Sequence, residues 1–436
     1  MRCTSGYSAR VGGQKAGADP ARWLSSPDMP RPFRDPRRNL WPLVIGQSVS
    51  LLGDYLAFFF ALPVFVRNTT GSATQLGALA MFETVAVLLF GFLAGVLLDR
   101  VRVRRAIITA DLVRATGFGL LALAVALDVG AAWMAFAVAF LVGSMGTIFD
   151  SGLESLMPSV LSDEMLVVAN SRLSVGRNLA QTLGFVLGGI VLAWSGGIAG
   201  AFALDAATYL FSVTALLVLV EVRPRPPIVA EPVFAALRSG LATLWLSAPL
   251  RWATAAATLT NLAFAPLAAV MTLFARDELG ISDDAALGAF FAAFSAIGAC
   301  GVAVAPRLVR RIGLGHSVVA GGFVFGLGAL GTGLVDGWWA VATLGVALAG
   351  VSVNQVGFAT LRQRLSPPDH LGRVISASRT IAWGGIPVGA FVGGIVADRI
   401  GLRPLFVGGG LAICAIAVLL VLGPLWRGDE EPVRPR

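Results

Sequence analysis

Few residues in this sequence are equipped for chemistry, and most of those are acids standing in apolar surroundings. Asp54 interrupts the apolar run 40–66, and Glu83 interrupts the run 74–98. An ionised side chain in hydrocarbon costs at least about 2.5 kcal/mol, so each marks a candidate functional position. At a helical rise of about 1.5 Å per residue, Asp54 lies about 18 Å, and Glu83 about 15 Å, from the outer ends of their runs. The two carboxylates therefore reach similar depths on consecutive antiparallel helices. A low-dielectric site penalises the charged form of an acid, which suits a reversible proton carrier; a structural hydrogen bond to a neighbouring helix is the plainer alternative. Asp111 and Arg114 are three residues apart, and Asp150 and Glu154 four apart. Each pair shares one helical face and suits ion pairs that form and break at a gate, with a static role for Asp150 and Arg114 as the alternative. Asn261, Asn354 and Gln355 are amides in apolar runs, fit to hydrogen-bond a substrate or to join helices. Arg379 reads as an interfacial anchor, and Asp205 as a structural residue near the water-accessible outer end of its run.

Other chemistries lack their parts. The sequence holds two histidines, His316 and His370, and three cysteines, Cys3, Cys300 and Cys414, without metal-ligand or redox spacing. No G-x-x-x-x-G-K-[ST] loop appears, which argues against nucleotide-driven pumping. A membrane-embedded enzyme would need a nucleophile with its base, or a metal cluster, at depth. The sequence thus predicts a protein that is not an enzyme, with no cofactor and no metal. The net charge of +8 raises nucleic acid as a partner, but the arginines are scattered in short gaps between apolar runs, and none is expected.

These residues are carried by a chain whose composition calls for lipid. Hydrophobic residues make up 56% of 436 and charged residues 13%, against about 25% charged in soluble domains. A span needs about 20 mostly apolar residues. Twelve runs qualify: 40–66, 74–98, 106–127, 131–157, 174–195, 199–221, 250–275, 285–308, 315–335, 337–360, 377–397 and 404–426. The fold class expected is all-α integral membrane protein, twelve transmembrane helices in two six-helix bundles. Residues 1–38 read as a disordered cytoplasmic tail within which Met29 is a second candidate start, 39–221 as the N-terminal bundle, 222–249 as a cytoplasmic linker broken by Pro224, Pro226 and Pro227, 250–426 as the C-terminal bundle, and 427–436 as a tail.

Arginine placement predicts orientation. With the N-terminus cytoplasmic, inner loops carry Arg100, Arg102, Arg104, Arg105, Arg172, Arg223, Arg225, Arg238, Arg307, Arg310, Arg311, Arg362, Arg364 and Arg373. Outer loops carry only Arg67, Arg276, Arg399 and Arg403. Both termini are therefore expected in the cytoplasm, in a plasma (inner) membrane. Trp338 and Trp339 fit an interfacial belt, and Gly91 and Gly95 a close helix approach.

The chain also repeats itself. Gly95-Val-Leu-Leu-Asp-Arg-Val-Arg-Val-Arg-Arg105 returns as Gly301-Val-Ala-Val-Ala-Pro-Arg-Leu-Val-Arg-Arg311, an offset of 206. Gly188-Gly-Ile-Val191 returns as Gly393-Gly-Ile-Val396, an offset of 205, and Pro63 in the first run has Pro266 in the seventh. A six-span unit repeated in one orientation is the plan of two-bundle secondary transporters.

On these residues the chain resembles the major facilitator superfamily of transporters. Gly95–Arg105 resembles the superfamily signature between spans 2 and 3, with Val103 where a glycine is usual. Gly46-Gln47, Ser50–Asp54, Ala61-Leu-Pro63, Asp111–Arg114, Ala169-Asn-Ser171 and Ala203-Leu-Asp205 resemble its enterobactin-exporter and macrolide-efflux branch. Gly184–Gly189 fits the antiporter signature of span 5 only in part, since Phe185 replaces its proline. The resemblance implies that Gly95, Asp99, Arg100, Arg104 and Arg105 lock the bundles on the cytoplasmic side. Asp99 would dock on the start of span 11, and Arg100 and Arg104 would pair with span 4 at Asp150; Ala305 replaces the acid in the second half. It also implies a cavity lined by spans 1, 4, 7 and 10.

The expected function is secondary active transport by alternating access: proton-coupled efflux of a small amphipathic compound, drug-like or siderophore-like. Expected partners are that substrate, protons as coupling ion and the bilayer, with the chain acting as a monomer. A proton-coupled importer of a small metabolite and a non-transporting membrane sensor are the alternatives.

Overall fold

The computed structural model describes residues 37–161, 163–194, 197–219, 241–242, 244–245, 247–365 and 371–422. The expected tails 1–38, but for its last two residues, and 427–436 lie outside the described residues, as does the linker 222–249 except for 241–242, 244–245 and 247–249, the last two of which already belong to a helix. Among those described, every regular element is helical. In lipid, a backbone must satisfy its own hydrogen bonds, and long apolar runs do so as helices.

Eleven helices are long and apolar enough to span a membrane, and a bent pair makes the twelfth span. Helix α1 joins the α-helix Arg37–Gly53, a π-helical stretch Asp54–Ala61 and the α-helix Leu62–Thr70. Then follow α2 (Ala73–Arg100), α3 (Val103–Ala126), α4 (Ala132–Val160), α5 (Asp163–Ala193) and α6 (Gly197–Val218). The second half holds α7 (Ala248–Ala269, continuing as Met271–Glu278 after a bend of 42°), α8 (Asp284–Ile312), α9 (Leu314–Leu334), α10 (Trp339–Leu365), α11 (Leu371–Ile400) and α12 (Leu402–Leu422). Among the described residues, the α1–α2 connection is a tight turn. Gly71 ends α1 at φ +64°, a conformation open to glycine without strain, and Ser72 then caps α2 by accepting from the Gln75 amide.

The repeat is visible as a shared irregularity. The first helix of each half departs from α-geometry near its proline, as the π-stretch before Pro63 in α1 and as the bend after Pro266 in α7. Proline removes one i→i−4 hydrogen bond and clashes with the preceding turn, so the helix must widen or bend there.

Packing divides the molecule by depth. The face that carries both ends of the described chain is here the terminal face; the other, with the α1–α2, α3–α4 and α11–α12 turns, is the distal face. Towards the distal face one apolar core spans both halves, including Phe60, Phe65 and Phe185 from the first and Phe274, Phe290 and Phe406 from the second. Towards the terminal face there are two separate cores. One is built from α1, α3, α4 and α6 around Leu43, Ile107 and Phe149. The other lies in the second half around Leu250, Val318 and Phe358. The halves are joined at one end and parted at the other.

Candidate functional site

A cavity of about 960 Å³ occupies the gap between the parted halves. Its walls run from Phe58, Phe59 and Glu83 at mid-membrane to Met157 and Asn170 near the terminal face. The first half supplies four carboxylates, Asp54, Glu83, Asp150 and Glu154, together with Arg114 and Arg177. The second half contributes Arg379, Thr380 and Trp383 from α11. A smaller pocket of about 140 Å³ lies between α7, α9, α10 and α11, lined by Asn261, Asn354, Gln355, Phe264, Phe325 and Trp383 among others.

Asp54 opens the π-helical stretch of α1 and accepts a hydrogen bond from the Tyr209 hydroxyl of α6. π-helical turns recur at functional positions because they shift side chains out of the regular register. Arg114 of α3 pairs with Asp111, and both are almost wholly buried. The Arg114 guanidinium stacks 4.3 Å from the centroid of the Tyr209 ring and 4.7 Å from that of Phe149. A cation held between ring faces gains from their quadrupoles. Asp111, Arg114, Tyr209 and Asp54 thus form one chain of contacts from α3 through α6 to α1. Asp205 lies behind it, fully buried and accepting from the Thr208 hydroxyl at 3.0 Å. Gly53 makes room for it, since a Cβ there would meet Asp205 Oδ1 and Thr208 Oγ1 at 2.2 Å.

The structure brings several of these residues together. Asp54 and Glu83 face the same cavity, as do Asp150 and Glu154. Asn261 donates to the Ala382 carbonyl at 2.8 Å and Asn354 to Val318 at 3.1 Å, so both amides join helices while lining the small pocket. Gln355 lines that pocket and is exposed.

Other placements differ. Asp205 is not at a wet end: it sits eight residues into α6 in the buried cluster. Arg379 is not an interfacial anchor, because α11 starts at Leu371 rather than near 377, which carries Arg379 two turns into the helix and onto the cavity wall beside Trp383, 4.5 Å from its ring. Arg104 donates to the Leu216 and Leu217 carbonyls at the end of α6, at 2.6–3.1 Å, instead of reaching Asp150; cations favour helix C-termini. Arg114, Arg177 and Arg379 line the same cavity as Asp150. Arg105 is exposed. The side chains of Gly95, Asp99 and Arg100 lie outside those described. Tyr209 and Arg177 were missed by the sequence reading. Tyr209 is one of three tyrosines, four residues from Asp205 within an apolar run, and that spacing was the available signal.

The distal mouth is shut by close backbone approaches. A Cβ on Gly189 of α5 would lie 2.6 Å from the Asp284 carbonyl and 2.9 Å from Gly288 Cα of α8; one on Gly394 of α11 would lie 2.5 Å from the Ala73 carbonyl of α2. The preceding glycines, Gly188 and Gly393, seat against Phe60 of α1 and Pro266 of α7. Each repeated Gly-Gly pair therefore packs once on its own half and once on the other. Phe291 of α8 meets Phe60 and Phe185 at centroid distances of 5.5 and 5.3 Å. Arg67 pairs with Asp277 at 2.5 Å across the same mouth.

Residues 43–390 match the profile of the Major Facilitator Superfamily. The chain is 24% identical over 396 residues to macrolide efflux protein A of Streptococcus pyogenes, covering 86% of this chain and 93% of that one. It is 26% identical over 393 residues to the enterobactin exporter EntS of Salmonella typhi, covering 88% and 91%. In fold it is similar to a bacterial homologue of the iron transporter ferroportin in an inward-facing state, with a TM-score of 0.69 at 17% identity, covering 89% of this chain and 99% of that one. The cavity between two parted six-helix halves and the profile matched over most of the chain agree: this multi-pass membrane protein belongs to the Major Facilitator Superfamily of transporters.

Proposed function

We propose that the chain is a secondary active transporter that exports a small amphipathic compound, drug-like or siderophore-like, in exchange for protons. One observation carries this reading: the large cavity opens towards the terminal face and combines aromatic walls with four carboxylates, while the distal mouth is closed. The arginine excess at the terminal face supports a cytoplasmic position for that face, and on this reading both termini are cytoplasmic and the protein works as a monomer in the plasma (inner) membrane. This conformation then loads substrate from inside. The efflux and export named for the relatives support the outward direction.

Phe58, Phe59, Tyr55 and Trp383 bind the apolar part of the substrate, and Asn261, Asn354 and Gln355 its hydrogen-bonding groups. Asp54 and Glu83 take up protons when the cavity faces outward. A proton taken up from outside displaces the substrate, and its release from Asp54 in this state restores the bond from Tyr209 and the attraction to Arg114, which resets the carrier. Asp111, Arg114, Asp150 and Glu154 rearrange as the terminal mouth closes, together with Gly95, Asp99, Arg100, Arg104 and Arg105. One charge crossing 100 mV releases about 2.3 kcal/mol, enough for about a 50-fold substrate gradient.

The test is a substrate panel in inverted vesicles under an imposed pH gradient, comparing wild type with Asp54→Asn. Loss of gradient-driven uptake with substrate binding retained supports coupling at Asp54. Unchanged uptake removes Asp54 from the mechanism.

A further inference from the structure

At the distal mouth, a residue with no part in the proposed cavity bridges the two halves. Asp398, in the last turn of α11, points onto the first turn of α2. Its Oδ1 accepts from the Ala73 amide at 2.9 Å, and its Oδ2 accepts from the Thr74 amide and the Ser72 hydroxyl, both at 2.9 Å. Two backbone donors that a helix start leaves unpaired are thereby satisfied by a carboxylate from the opposite half, where the helix dipole also favours an anion. The contact sits over the place where Gly394 and Gly77 let α11 and α2 approach to backbone contact: a Cβ on Gly77 would lie 2.3 Å from the Ala390 carbonyl.

The repeat shows that this is not a general feature of the fold. At the offset of 205 that relates Gly188–Val191 to Gly393–Val396, the position matching Asp398 is Ala193 of α5. The symmetry-related pair, α5 with α8, has no acid there and packs through Gly189, Gly288 and the Phe185–Phe291 contact. Asp99 stands next to last in α2, at the other end of the same antiparallel pair, and its counterpart in α8 is Ala305. Of the two helix pairs that join the halves, only α2 with α11 carries an acid near each C-terminal end.

We propose that Asp398 is the gate residue that latches the distal mouth by capping α2 from the opposite half. Opening the distal mouth draws the start of α2 away from the end of α11 and breaks all three Asp398 bonds together.

The experiment uses the full chain with its three cysteines replaced, reconstituted in lipid nanodiscs, with spin labels at the exposed distal positions Val129 and Trp338. Distances are read without substrate or gradient, so the result is independent of whether the export reading holds. Asp398→Ala is expected to raise the ratio of open to closed distal mouths about fivefold, the scale of losing one helix cap. Asp398→Asn, which keeps an acceptor, shifts it less. Asp283→Ala removes the cap of α8 from within its own half and leaves the distances unchanged. Should Asp398→Ala fail to fold, Ala73→Pro removes one donor from the α2 side at a position where proline suits a helix start; it is expected to open the mouth as well. Unchanged distance distributions in the folded Asp398 and Ala73 variants would overturn the proposal, as would an equal shift in Asp283→Ala.

Discussion

The Tyr209 hydroxyl donates to Asp54 at the residue where α1 turns from α-helix to π-helix. The same tyrosine ring carries the Arg114 guanidinium on its face. One side chain of α6 therefore joins the acid that lines the cavity to the buried ion pair of α3, and a change of charge at Asp54 is felt in three helices at once.

Tyr209→Phe keeps the ring and removes the donor. A hydrogen bond to a charged group contributes about 1.5–3 kcal/mol, so the variant is expected to unfold at a measurably lower temperature in detergent. Its gradient-driven uptake should fall while substrate binding persists. Wild-type uptake in a folded Tyr209→Phe protein would separate Tyr209 from coupling.

Arg114 offers a larger effect. Removing one partner of a buried ion pair typically costs about 3–5 kcal/mol, because the other charge is left unpaired. Arg114→Met should therefore destabilise strongly, and Asp111→Asn in the same chain should restore part of the loss. Arg114→Lys is expected to fall well short of wild type, since an ammonium cannot stack between Phe149 and Tyr209 as a planar guanidinium does. Thermal unfolding of the four proteins decides this.

At the distal mouth, Gly189→Val places side-chain atoms where the Asp284 carbonyl and Gly288 stand. The variant should fold but hold the distal mouth open, losing at least about tenfold in transport, a penalty of about 1.4 kcal/mol on closure. Gly384→Ala, where a Cβ meets nothing within 4 Å, should transport normally and gain up to about 1 kcal/mol in helix stability. Distal cross-linking efficiency and uptake, measured side by side, test the contrast.

Much of this architecture was legible beforehand. Apolar runs located twelve spans, because lipid leaves the backbone no alternative to helices. The ends were harder. Helix α5 begins at Asp163, not near 174, because its first turns are amphipathic and pass beneath a hydropathy criterion. That extension carries Asn170 and Leu173 onto the cavity wall, ahead of Ser174 and Arg177. The same error at α11 turned Arg379 from wall residue into anchor. Asp205 was placed by its distance from a helix end, a measure blind to which face is covered. Tyr209 was passed over since an aromatic residue in a span reads first as packing. The acids at Asp54 and Glu83 were found because a charge in hydrocarbon is costly wherever it points.

The small pocket separates two roles for amides. Asn354 ties α10 to the Val318 carbonyl of α9, so Asn354→Ala should cost about 1 kcal/mol of stability. Gln355 is exposed on the wall, so Gln355→Ala should change stability by less than about 0.5 kcal/mol yet raise the apparent KM for substrate. Equal KM values for wild type and Gln355→Ala would take the residue out of recognition.

In the proposed cycle the wall around Asp54 meets water from one side at a time. Ser151 lines the cavity on α4, and a Ser151→Cys variant, in the chain freed of its other cysteines, can be labelled with a membrane-impermeant maleimide from either side of sealed vesicles. Labelling from the terminal face at rest, with labelling from the distal face arising only when substrate and a pH gradient drive turnover, is the result expected. Labelling confined to one face under every condition, or from both faces at rest, would contradict it.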